Sequence, residues 1–114
     1  MGLRLNTVDR LQQYLMGVSE RATHHAPNVD HVILALAGAI VLYKDQGTQL
    51  EARTYQGSPT NIVYATINGT RYAFTYDHQH QSVNIRRNSV RGTSVASFTN
   101  ATATQRIIQI FSRL

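Results

Sequence analysis

The spacing of hydrophobic and polar positions changes period twice along this chain. Val8, Leu11, Leu15, Val18 and Ala22 recur every three or four residues, which sets them on one stripe of an α-helix. Asn6 or Thr7 can cap that helix, and Asp9 lies in its first turn, where the dipole favours a negative charge. Pro27, which has no N–H to donate, stops it just beyond His24 and His25. From Ile62 to Tyr76 the period becomes two, on both sides of Asn68-Gly69. Asn-Gly supplies the left-handed backbone of a two-residue type I′ turn, so the pattern predicts a hairpin. Its register sets Ile67 opposite Thr70, Ala65 opposite Tyr72 and Val63 opposite Phe74. That face points inward, and Ile62, Tyr64, Thr66, Arg71, Ala73 and Thr75 point outward. Helical spacing returns at Ile107, Ile110, Phe111 and Leu114, with Ile108 widening the stripe. Thr102 and Gln105 are spaced as a capping box for this last helix, and Arg113 suits the dipole at its end.

Between these segments the pattern is less decisive. Asn28 can cap a second helix that runs to Ala37 and stops at Gly38. The competing reading is a buried strand with Gly38 as a bulge, because Val29, Val32 and Ile33 are β-branched. Ala39–Lys44 and Thr48–Tyr55 flank Asp45-Gln46-Gly47 and predict a hairpin with a three-residue loop. Leu42 would then face Leu50, and Ile40 would face Ala52. Val41, Tyr43, Glu51 and Arg53 would point the other way. Gln56-Gly57-Ser58-Pro59 reads as a turn and residues 77–81 as a polar loop. Ser82–Arg87 reads as a fifth strand with Val83 and Ile85 inward, and Thr93–Phe98 as a candidate sixth. The expectation is one α+β domain over residues 1–114: two N-terminal helices, an antiparallel β-meander of about five strands, and a C-terminal helix packed on one sheet face.

Composition narrows the function classes. At 114 residues, 42% apolar and 15% charged, the chain can bury a core of its own. It has no cysteine, which excludes a disulfide framework and a thiolate metal site. The uncharged run from Val32 to Tyr43 is shorter than the ~20 residues that span a bilayer, so no membrane association is expected. The N-terminal residues lack the apolar core of a signal peptide, and a cytoplasmic location is the expectation. The net charge is +5, a surface that attracts polyanions weakly.

Three surfaces carry candidate chemistry. The outward sheet face, with Tyr43, Arg53, Tyr64, Thr66, Arg71 and Thr75, joined by Val41 and Ile62, is more apolar and Tyr/Arg-rich than a solvated face. Those residue types anchor interfaces. This face is the leading candidate for self-association into a dimer or higher oligomer, or for holding a small molecule or protein partner. The loop containing Arg86, Arg87 and Arg91 could hold phosphates through planar guanidinium forks. With Arg71 it forms the alternative, a nucleic-acid interface. His78 and His80 beside Asp77, with His24, His25 and His31 elsewhere, are the residues a metal-dependent hydrolase would use. Asp30–His31 and Asp77–His78 are the adjacent Asp–His pairs. No nucleophile elbow or phosphate-binding glycine loop occurs in the sequence. The reading is therefore a non-enzymatic binding or assembly protein, with no cofactor and no metal assigned.

Overall fold

The structure is a computed structural model describing residues 2–114. Its elements run β1 (Gly2–Arg4), α1 (Val8–His25), α2 (Val32–Tyr43), β2 (Glu51–Tyr55), β3 (Ser58–Ile67), β4 (Thr70–Asp77), β5 (Ser82–Arg87), β6 (Ser94–Phe98) and α3 (Thr104–Phe111). The six strands form one antiparallel sheet in sequential order. The α+β meander is as expected, with six strands rather than about five. The candidate sixth strand is β6, the expected strand at 39–44 is absent, and the one strand with no counterpart in the sequence reading is β1, which pairs with β2 at the sheet edge. Three residues are too few to show a period.

The β3–β4 hairpin has the predicted register, Val63 with Phe74, Ala65 with Tyr72, and Ile67 with Thr70. Asn68 and Gly69 have φ of 50° and 79°, the left-handed pair that a type I′ turn requires. The carboxylate of Asp45 accepts the backbone N–H groups of both, at 2.7 and 2.8 Å. The Asn68 side chain donates to the Leu114 carbonyl. Val83 and Ile85 of β5 face inward, as read from the sequence. The core lies between the sheet and the helices, with Tyr72, Ile85, Phe98, Ile107 and Phe111 fully enclosed.

The segment before β2 departs from the reading. Residues 39–43 belong to α2, so the predicted hairpin of Ala39–Lys44 with Thr48–Tyr55 does not form. Gly38 lies inside the helix and does not end it. Leu36 and Ile40 are buried while Leu42 is 74% exposed. That is a helical spacing, and a strand with Ile40 and Leu42 inward is incompatible with it. Ala and Leu, strong helix formers, dominate the segment. The Asp45–Gly47 turn does exist, with Gly47 at φ 80°, but it joins a helix to a strand.

The caps also differ. Thr7 caps α1 by accepting the Arg10 N–H. Asn28 does not cap α2, and its side chain donates to Gln81 instead. The N–H groups of His31 and Val32 donate to Oδ1 of Asn100, at 3.0 and 2.9 Å. Nδ2 of Asn100 donates to Pro27 and Asp30. One asparagine in the β6–α3 loop therefore starts α2. Thr102 accepts the Thr99 N–H, and α3 begins after Ala103 with no side-chain cap, so the capping box is not formed. Arg113 lies beyond the end of α3.

Candidate functional site

α1 and α2 cover the β3–β5 part of the sheet without filling the space beneath them. The inward stripe of α1 carries Tyr14, Val18 and Ala22, and α2 brings Ile33, Leu36, Ala37 and Ile40. The sheet contributes Val63, Phe74, Tyr76 and Val83. Alanines at 22, 26 and 37 are too short to close the gap, and a cavity of about 310 Å³ remains. That is within the ~300–1,000 Å³ of small-molecule sites.

The polar groups of this cavity are few. Arg21 lies along its wall, with Nε and Nη2 donating to Oδ1 of Asn61 at 3.0 and 2.8 Å. A Cβ at Gly17 would stand 3.1 Å from Nη1 of Arg21, so the glycine gives the guanidinium room along α1. His25 and His78, both exposed, complete the rim. The His78 ring stands edge-on to Tyr76, with centroids 4.8 Å apart. No carboxylate is among the lining residues, so the partner of Arg21 is neutral and its positive charge is not cancelled locally. The Tyr14 hydroxyl donates to the Thr60 carbonyl at 2.7 Å. Burial pushes its pKa up to about 12, against the opposing pull of Arg21. It is thus a fixed neutral donor with its proton already committed.

The opposite sheet face holds most of the residues singled out from the sequence. Tyr64, Thr66, Arg71 and Thr75 share it by register, Thr75 also bordering the cavity, and Arg53 joins them by alternation with the buried Ala52. Tyr43 and Val41 do not, because they belong to α2. Tyr43 instead packs on Phe111, with ring centroids 5.7 Å apart. Arg71 lies over the Tyr64 ring at 3.9 Å, a cation–π contact, and donates to the Asn88 carbonyl. Part of its binding capacity is therefore used within the chain.

The arginine loop is likewise braced from inside. Arg86 donates to the Gly92 carbonyl, while Arg87 and Arg91 are exposed. A Cβ at Gly92 would overlap the Arg87 carbonyl oxygen, so this tight loop requires glycine there.

The histidines are dispersed. His78 turns to Tyr76 and His80 to Asp77, because residues 78–81 form a turn within the polar loop. His80 Nδ1 lies 2.7 Å from Asp77 Oδ2. The Asp–His pair is thus three residues apart, and not Asp77–His78. Bonds from the His80 side chain, foremost, and from its backbone N–H hold the Asp77 carboxyl down at about 2, and Asn84 adds a weaker one. Asp30 and His31 approach to 3.6 Å. His24 and His25 have ring centroids 6.3 Å apart. Among the described residues no three His, Asp or Glu side chains are grouped to hold a metal ion.

Sequence reasoning missed the cavity. Its lining appears in the sequence as ordinary core, and its signal, the small residues Ala22, Ala26 and Ala37 on facing elements, becomes visible only when those elements are brought together.

The fold and cavity define a small α+β protein with a helix-covered antiparallel sheet and an apolar, ligand-sized space between the two layers. The chain belongs to the family described as Integron cassette protein VCH_CASS1 chain, which matches residues 11–107. That span includes every residue lining the cavity. No curated protein matches the chain. Among the described residues no helix is long and apolar enough to cross a membrane.

Proposed function

We propose that this protein binds a small organic acid, with its apolar body in the cavity beneath α1 and α2 and its acidic group at the Arg21 rim. The observation that carries the reading is an apolar cavity whose charged lining group, Arg21, is hydrogen-bonded among the described residues to a neutral amide. Burying apolar surface drives entry. The uncancelled guanidinium favours an anion over a neutral analogue of the same shape. At ~30 Å³ per water-sized group, 310 Å³ accepts a body of about ten heavy atoms. The reading keeps the class expected from the sequence, a binding protein, and moves the ligand from the Tyr/Arg sheet face to the covered one.

Thermal unfolding with 2-naphthoate, whose fused rings match that size, tests it. A ligand that binds only the folded state raises the transition temperature with concentration. The expected result is a rise of about 4 °C or more at saturation, a smaller rise with 2-naphthylmethanol, and none in Ala37→Leu, which fills the space. Equal shifts for Ala37→Leu and the parent protein would remove the proposal.

A further inference from the structure

From Val32 to Leu42, α2 carries only Val, Ile, Leu, Ala and Gly. A helix that is apolar all round normally lies inside a protein. Here one face covers the cavity and core, while the other stands in solvent with Leu34 60%, Val41 47% and Leu42 74% exposed. Gly38 lies in the middle of that face. Apart from its own helix's backbone, no atom of the described residues comes within 4 Å of where its Cβ would stand, and its backbone is helical. No contact among the described residues requires glycine there, although glycine weakens a helix interior by ~1 kcal/mol relative to alanine.

We infer that this face is an interface between two copies of the chain, whose α2 helices cross antiparallel at Gly38 about a two-fold axis. The face is self-complementary about that residue. Leu34 lies four positions before Gly38 and Leu42 four positions after it. A two-fold axis at Gly38 therefore sets Leu34 of one copy against Leu42 of the other, twice. It also sets Val41 against the smaller Ala35. This is the reciprocal pattern of an isologous contact. The missing side chain at Gly38 lets the two backbones approach at the crossing point.

Charge selects the same occupant. The chain carries +5 overall, and α2 has no charged residue between its ends. Two copies can meet on this face without opposing like charges, and nothing on it would recruit an acidic or basic partner. The stripe is about 12 Å long at 1.5 Å per residue. The neighbouring α3 exposes Ile108 as well. One helix crossing buries less than the ~800 Å² per partner of a standard interface, so the dimer dissociates on dilution.

Sedimentation velocity across a concentration series, combined with cysteine cross-linking, tests the inference. The chain has no cysteine of its own, so introduced thiols report only on their own positions. The expected results are a species of twice the 12.8 kDa chain mass at high concentration and its loss in Leu42→Glu with an unchanged circular dichroism spectrum. Gly38→Cys should form a disulfide-linked dimer, since that bond needs Cα atoms within ~7 Å. An equal mixture of Leu34→Cys and Leu42→Cys chains should cross-link more than either chain alone. A chain that stays monomeric to about 1 mM would overturn the inference. So would a dimer indifferent to Leu42→Glu, or the absence of both cross-links.

Discussion

The β3–β4 hairpin and α2 differ in where their structural instructions lie. In the hairpin, turn chemistry, alternation and β-branched residues agree within fifteen residues, Ile62–Tyr76, and register followed directly. In α2 the apolar residues surround the helix, so no face is marked, and its N-terminal cap comes from Asn100, 68 residues beyond Val32. A segment reads clearly when its partners are local and when its polar residues show which side meets water. The two regions meet at Asp45, which follows α2 and holds the turn of the hairpin.

The contrast can be tested first at the positions where helix and strand readings of residues 39–44 diverge. A strand would bury both Ile40 and Leu42, whereas the helix buries Ile40 and exposes Leu42. Ile40→Ala should cost about 2–5 kcal/mol in urea unfolding at low micromolar protein, and Leu42→Ala less than about 0.5 kcal/mol. Equal costs would return the segment to the sheet. The remote cap comes next. Asn100→Ala should cost about 1–2 kcal/mol, with hydrogen exchange accelerated at the start of α2 and unchanged in the hairpin.

The local instruction predicts a smaller loss. Gly69 sits at φ 79°, where an L side chain is disfavoured, and Gly69→Ala should cost about 1 kcal/mol. Its effect should be confined to the β3–β4 amides. The smallest effect is electrostatic and falls on the loop after β4. The Asp77 carboxyl is held at about 2 in the folded protein, below its ordinary value near 4. A depressed acid stabilises the folded state above its unfolded pKa and loses that contribution as pH falls through its folded one. Melting temperatures of the parent protein and Asp77→Asn should therefore differ at pH 6 and converge between about pH 4 and pH 2. A constant difference across that range would assign the effect to packing.

Much of the fold was legible for these physical reasons. Period-two segments gave β3, β4 and β5, and period 3.6 gave α1 and the stripe of α3. The sixth strand was legible as a candidate, whereas β1 was too short to show a pattern. Less of the site was legible. Tyr64, Thr66, Arg71 and Thr75 were correctly set on one sheet face by register alone, and Tyr43 was misplaced because residues 39–44, the end of α2 and its cap, were read as a strand. The cavity depends on three-dimensional gaps between α1, α2 and the sheet, which no local period records. Arg21 carries no distinguishing mark in the sequence, and its contact with Asn61 exists only in the fold.

The two sheet faces also separate the central claim from its rival. A ¹H–¹⁵N spectrum titrated with 2-naphthoate reports on both faces at once. Ligand in the cavity shifts the amides of Val18, Ala22, Val29 and Ala37 and leaves Tyr64, Thr66 and Arg71 in place. Shifts concentrated at Tyr64, Thr66 and Arg71, with the cavity amides unmoved, would contradict the account.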